Sequence, residues 1–313
     1  MNYAVVDLGS NSIRLSVYEC DNYNIQKTFS YKELAGLAGY VSKGILNEAG
    51  IRKACTILNN IKDIATAFAR IEDIHVFATA SLRNVINGHE AVKIISEETA
   101  LVPVILSGDE EAALGFYGVT RYVNCYDGIM IDIGGASTEL VLFRGGKIEK
   151  TASLPIGCLN LVVKSVSQII PKEQERKRID AEIKKRFSKI GWAGKEKLPI
   201  MVGVGGTLRA LLALSRTLYD VPDDVYEIKP DFVRKTAKLI AANKDGIYLS
   251  IYSTIPERLM TISTGLAILS RAIKVFGCET ISVSNFGIRE GYLLNRVLSA
   301  GDEYVISHRV EDD

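Results

Sequence analysis

The stretch VVDLGSNSIRLSVY (residues 5–18), set above MIDIGGASTELVLF (residues 130–143), decides the fold. Asp7 falls on Asp132, Gly9 on Gly134, Ser12 on Ser137 and Leu15 on Leu140, all at an offset of 125. Each stretch is a β-rich run, an Asp-apolar-Gly corner, a few small polar residues and a second β-rich run, which reads as strand, tight turn, strand. Repetition of this kind implies a chain built from two similar halves. Chance produces one such hairpin easily. Two in register, each opening an α/β segment, are a stronger signal.

Outward from the first hairpin, residues 49–69 carry Ile51, Ala54, Cys55, Leu58, Ile61, Ile64, Ala65 and Phe68 at helical spacing, which predicts an amphipathic helix. A strand over 73–79, a helix over 88–98, a strand over 102–106 and a helix over 110–122 complete the first half. After the second hairpin the pattern predicts a strand over 147–154, a helix over 159–166 and a charged helix over 172–189. A strand over 199–204 precedes helices over 207–218, 232–243 and 257–276, then a last strand over 280–284 and a closing helix from about 288 to 300. Such alternation is α/β, with mixed sheets covered by helices. No low-complexity linker separates the halves, so a hinge is expected near residue 117. That gives units 1–117 and 118–294, with a C-terminal helix over about 295–313 packing back on the first.

At 313 residues with 47% apolar and 24% charged side chains, the chain can fill two cores. A net charge of +1 argues against a general nucleic-acid binder. The longest apolar runs, residues 101–106 and 199–204, are too short to span a membrane. The start, MNYAVVDLGSNS, places an acid and a turn where a secretion signal needs an apolar run. Five scattered cysteines (Cys20, Cys55, Cys125, Cys158, Cys278) and three histidines (His75, His89, His308) form no metal-binding spacing. A cytoplasmic protein with reduced thiols is the simplest expectation.

The first hairpin turn, Asp7-Leu8-Gly9-Ser10-Asn11-Ser12, can point backbone N–H groups into one concavity, a nest suited to phosphate oxygens. Ser10, Asn11 and Ser12 add side-chain donors, and Asp7 can orient a metal or water. An ordinary Asp/Gly turn calls for the same residue types. The second turn is more specific, because Asp132 and Glu139 bracket Gly134, Gly135, Ala136 and Ser137. Mg2+ prefers one or two carboxylates together with water and phosphate oxygens. Asp132 and Glu139 are therefore candidate ligands, with Asp7 as a third. Gly205, Gly206 and Thr207 follow a buried strand and open a helix, where backbone amides attract anions, although glycine also serves close packing there.

The segments AVVDLGSNSIRL, FATASLRN, LSGDEEAALGFYGV, MIDIGGASTELV, LPIGCLNL, VGVGGTLRAL and VSNFGIREGYLL occur in this order between residues 3 and about 294. Together they resemble the exopolyphosphatase/guanosine pentaphosphate phosphohydrolase (Ppx/GppA) family. The resemblance implies duplicated actin-like ATPase (ribonuclease H-like) domains with a catalytic cleft between them. It implies that Glu111 is the general base that activates water, and that Arg83 and Arg14 contact phosphate. Arg258 is a weaker match, with an unremarkable surface arginine as the default. Arg289 lies in the closing motif, where pairing with Glu290 is the alternative. Ala136 replaces a usual glycine, residues 32–46 lack an arginine-leucine-glycine element, and residues 259–264 lack an aspartate often present.

The activity implied is Mg2+-dependent hydrolysis of terminal phosphoanhydride bonds, with inorganic polyphosphate as the expected substrate. The resemblance is to a short, two-domain form, and a homodimer is a further expectation. Guanosine pentaphosphate hydrolysis, a non-catalytic nucleotide or alarmone sensor and an actin-fold kinase are the alternatives. The 172–189 helix, with eight basic and four acidic residues, is a candidate track for a long chain, a solvated charged face being the competing reading.

Overall fold

A computed structural model describes residues 1–298 apart from 22–24, 121–122, 124–125 and 245. Cys125, His308 and the expected C-terminal helix beyond residue 298 lie outside the described residues. The first half contains β1 (Asn2–Leu8), β2 (Ser12–Cys20), β3 (Ile25–Leu34), the short hairpin β4 (Val41–Ser42) and β5 (Ile45–Leu46), and α1 (Glu48–Thr66). It continues with β6 (Ile74–Ala78), α2 (Ala80–Arg83), α3 (Gly88–Thr99), β7 (Val104–Ile105) and α4 (Gly108–Thr120). The second half runs β8 (Gly128–Ile133), β9 (Thr138–Arg144), β10 (Lys147–Leu154), α5 (Cys158–Ser165), α6 (Glu173–Phe187), β11 (Ile200–Val204) and α7 (Gly205–Tyr219). It closes with β12 (Glu227–Ile228), α8 (Pro230–Ala242), α9 (Ile247–Thr254), α10 (Ile262–Phe276), β13 (Thr280–Val283) and α11 (Ile288–Tyr292), which widens into a π-helical stretch over Leu293–Leu298.

The duplication holds in the strand order. One sheet runs β3-β2-β1-β6-β7 and the other β10-β9-β8-β11-β13, with β12 added at its edge. In both, the first three strands are antiparallel neighbours, while the fourth and fifth join in parallel. This is the actin-like fold, written twice. The central strands are buried on both faces, so β1 and β8 read as apolar runs rather than alternating ones. The edge strand β3 alternates between half-buried and exposed positions.

Each sheet has its own core. Ile51, Leu58 and Ile61 of α1 close one side of the first sheet, and Ile179, Ile183, Leu208 and Leu266 belong to the core of the second. Burying each such side chain contributes about 1.5–3 kcal/mol. Between the sheets α4 packs backbone to backbone on α11. A Cβ on Gly118 would meet the Gly287 carbonyl oxygen at 2.0 Å, and one on Gly291 the Leu114 carbonyl oxygen at 1.7 Å. Only glycine permits that approach. Residue 117 falls inside α4 rather than in a loop. Tyr292, Leu293 and Val297 pack with Val5, Tyr18 and Phe77, on the first sheet.

Several local expectations need correction. The single helix over 257–276 is a 3-10 turn at Pro256–Arg258 followed by α10. Thr261, Ile262 and Thr264 are weak helix formers at the break, and the turn carries Arg258 inward. The strand over 102–106 shrinks to β7, Val104–Ile105. Helix α9, IYLSIYST, went unread because its β-branched and aromatic composition favours a strand; burial of Ile247 and Ile251 overrides it. The four described cysteines are all free and buried. Among the described residues no helix is long and apolar enough to cross a membrane.

Candidate active site

Both hairpin turns open into one cleft, and the way each is held explains its shape. In the first, the carbonyls of Ser10 and Asn11 accept bonds from the N–H groups of Ala35, Gly36 and Ala38 at 2.9–3.0 Å. In the second, the carbonyls of Gly134 and Gly135 accept from Cys158, Leu159 and Asn160 at the start of α5, each at 2.9 Å. The Gly9 and Gly134 amides close the turns on the Ser12 and Ser137 carbonyls at 3.2 and 3.0 Å, and with the other carbonyls turned to the following segment the amides between can face an anion. Asn160 locks the second turn: its Nδ2 donates to the Ala136 carbonyl at 2.7 Å, and its Oδ1 accepts from the Gly157 N–H at 2.8 Å. Sequence reasoning did not single it out.

Gly9, Ser10, Asn11, Ser12, Arg14, Gly134, Gly135, Ala136, Ser137, Gly205 and Gly206 all line this cleft, as do Asp7, Glu111, Asp132 and Glu139. Two expected phosphate contacts are placed differently. The Thr207 hydroxyl is buried and donates to the Ile133 carbonyl at 2.9 Å, fastening α7 to the second hairpin. Arg83 Nη1 donates to Glu111 Oε2 at 2.6 Å and to the Leu106 carbonyl at 3.1 Å, while Nη2 lies 3.8 Å from Glu139 Oε1. Arg83 is therefore tied to carboxylates in this state. Its place is fixed by β6, which delivers α2 beside the first hairpin; there the Ser81 hydroxyl donates to the Leu8 carbonyl.

The carboxylates lie at the base of the cleft. Asp132 and Glu139 are directly opposed across β8 and β9, so their side chains share a face. Ser153 Oγ donates to Glu139 Oε1 at 2.9 Å from β10. Glu139 is 2% exposed. Asp7 and Asp132 keep part of their surface open to the cleft, yet lie deep enough for desolvation to dominate. All four acids are held above the ordinary carboxylate range. Burial is the first cause for Glu139, which is raised well above it, with repulsion from Glu111 and Asp132 adding. Burial also raises Asp132 and Asp7 despite nearby arginines. Glu111 is pushed up to about 7, because desolvation outweighs the Arg83 contact and Asp132 and Asp7 repel its charge.

A metal would relieve this repulsion, and the paired carboxylates fit Mg2+. Asp132 and Glu139 supply the one or two carboxylates Mg2+ uses, the rest of its octahedron coming from water and phosphate. Asp7 lines the same cleft and its charge repels that of Asp132. Asp7 sits on the other sheet, opposed to Arg14 across β1 and β2.

Four arginines share the cleft with these acids. Arg14, Arg209, Arg258 and Arg289 all line the cleft, and none is within ion-pair distance of a carboxylate among the described residues. Arg14 Nε reaches only Ser12 Oγ at 3.2 Å, and Arg289 Nη1 reaches Ser16 Oγ at 2.7 Å. Burial lowers Arg209 to about 10, with Arg289 and Arg14 repelling it. Arg258 is no ordinary surface arginine: it presses on Gly206, where a Cβ would lie 2.1 Å from its Nη2. Arg209 escaped the sequence reading altogether, its only signal being one helical turn's distance from Gly205 and Gly206. Gly205 itself has φ +84 and brings its backbone against Asp132, where a Cβ would lie 2.2 Å from Oδ1. Glu290 holds the Arg289 end of α11, accepting from Tyr18 Oη at 2.7 Å and from the Gly287 N–H at 2.9 Å.

Residues 16–300 match the Ppx/GppA phosphatase family. A guanosine-5'-triphosphate,3'-diphosphate pyrophosphatase of Photobacterium profundum is 26% identical over 307 residues, 92% of this chain and 58% of that protein. The chain thus spans little more than half of that relative. The crystal structure of an Aquifex aeolicus Ppx/GppA family member is 25% identical, with a TM-score of 0.78 over 97% of this chain and 99% of that one. An exopolyphosphatase from Cytophaga hutchinsonii shares the fold at a TM-score of 0.81 and 20% identity, covering 94% of this chain and 97% of that one.

Proposed function

The chain belongs to the Ppx/GppA phosphatase family, and from that premise we propose that it hydrolyses terminal phosphoanhydride bonds, inorganic polyphosphate being the preferred substrate. The carrying observation is a cleft in which buried carboxylates, Glu111 among them, share one space with four arginines that have no carboxylate within ion-pair distance among the described residues. Isolated cations that have lost hydration cost several kcal/mol each unless an anion compensates them. A phosphate chain is such an anion, and the two turns offer it N–H and hydroxyl donors.

In this reading the terminal phosphate sits between the two hairpin turns, over Asp132 and Glu139. Mg2+ held there would neutralise charge on the phosphate oxygens. Glu111 takes the proton from an attacking water, and Arg83 both orients that carboxylate and lies ready to meet phosphate. Phosphoryl transfer needs mainly positioning and charge stabilisation, which these groups supply. Arg14 and the arginines beside it hold the phosphates that remain as the leaving group. Units 1–117 and 118–294, meeting at the α4–α11 crossing, belong to the same proposal, as does a cytoplasmic setting.

Polyphosphate is preferred over guanosine pentaphosphate because the described cleft lining, though it includes Ile133, Val204 and Ile288, offers many charged and polar groups and no aromatic side chain on which a base could stack. The decisive experiment measures phosphate release with Mg2+ from polyphosphates of several lengths and from guanosine pentaphosphate. Glu111→Gln is expected to lower kcat by about 10²–10⁴-fold. Undiminished release by that variant removes Glu111 as the base, and tight nucleotide binding without any release replaces the hydrolase with a sensor.

A further inference from the structure

The row of cross-strand partners that begins at Asp7 leads out of the cleft. Asp7 opposes Arg14 across β1 and β2, and Arg14 opposes Lys32 across β2 and β3. Directly opposed residues share one face of a sheet, so these three form a line from the cleft floor to the sheet edge. Strand β3 is that edge, and Lys32 is exposed on it. Lys32 also feels the cleft arginines: burial and repulsion from Arg14 and Arg258 lower its pKa, with Glu257 opposing. No carboxylate among the described residues lies within ion-pair distance of it.

The topologically equivalent row in the second sheet is Asp132, Glu139 and Ser153. It is acidic, closed by the Ser153–Glu139 hydrogen bond of 2.9 Å, and abutted by α4, where a Cβ on Gly108 would lie 2.4 Å from that of Ser153. A polyanion with its end over Asp132 and Glu139 finds repulsion along one row and attraction along the other. Helix α6 offers no such path. It contributes no residue to the cleft lining, and its acids engage nearby cations, Glu173 with Lys177 at 2.7 Å and Glu182 with Arg186 at 2.6 Å.

We infer that a phosphate chain longer than the cleft leaves it across β2 and β3, over Arg14 and past Lys32, and that Lys32 is a chain-length-selecting residue. The ligand class is the non-reacting part of a linear inorganic polyphosphate. The inference rests on the terminal-phosphate reading of the cleft, because that reading sets which end of the chain is inside.

The test uses the full chain and Lys32→Glu, an exposed substitution, with Lys184→Glu/Lys185→Glu on α6 as the comparison. Steady-state phosphate release is measured on tripolyphosphate and on long-chain polyphosphate, and binding of both is measured in parallel with EDTA present. Lys32→Glu is expected to raise KM and Kd for the long chain about tenfold more than for tripolyphosphate, an electrostatic complementarity effect. Charge reversal on α6 is expected to leave that ratio where it was. Equal effects of Lys32→Glu on both lengths, no effect on either, or a length-dependent loss from the α6 variant overturns the inference, as does failure of the wild type to bind long chains. Absence of phosphate release from every substrate overturns the hydrolase reading alone, because the binding ratio with EDTA still judges Lys32.

Discussion

The two hairpins share a backbone and divide the chemistry. At the same position of the repeat the first carries Arg14 and the second Glu139, each opposed to an aspartate, Asp7 or Asp132. Their neighbours extend the contrast, Lys32 on β3 against Ser153 on β10. Both turns are held by the same device, loop carbonyls pinned to the segment that follows. What diverged is the side-chain row beneath. One duplicated frame thus sets a cation beside one aspartate and an acid beside the other, because the strand ladder fixes which residues meet while leaving their charge free.

The largest effects should fall on the acidic row. Glu139→Gln is expected to lower kcat by about 10²–10³-fold, the scale of removing one preorganised electrostatic group. Arg14→Ala should instead raise KM by roughly tenfold or more, hydrogen bonds to charged groups being worth about 1.5–3 kcal/mol. Steady-state kinetics on one substrate separates the two. A kcat defect of equal size in both variants would erase the division between the rows.

A smaller effect tests the strain within the acidic end. The Glu111 carboxyl, about 7 in the folded protein against 4.5 as the ordinary value, binds its proton more tightly folded than unfolded. Its contribution to stability is therefore full below about 4.5 and is lost as pH rises through about 7. In EDTA, wild type should lose stability relative to Glu111→Gln across that interval, read from urea midpoints at each pH. The same titration should depress kcat/KM on the acid side, since the base must be ionised. Parallel stability profiles for the two proteins would show that Glu111 carries no such burden.

Much of the fold was legible because it was written twice. The Asp-apolar-Gly corners at Asp7 and Asp132 gave the hairpins, and apolar spacing gave α1, α3, α4 and α7 to within a few residues. Strand β7, the break before α10 and helix α9 were misread where tertiary packing overrides local preference. Glu111, Asp132, Glu139 and both turns could be named from motifs. Arg209, Asn160 and Ser153 could not, since each acts through a contact with a residue distant in sequence.

The sequence by itself determined the duplication, the two glycine-bearing hairpin turns and the residue types available to them, because strand periodicity and turn chemistry are local properties. Only the tertiary structure decided that Thr207 fastens a helix rather than facing the cleft, that Arg83 grips Glu111, and that Asp7, from the other sheet, shares one cleft with Asp132 and Glu139. It also gathered four arginines scattered from residue 14 to residue 289 into one cleft. Charge and desolvation depend on what surrounds a group in space. Strand register and the glycine crossing of α4 and α11 set those surroundings, and neither is a property of any single segment.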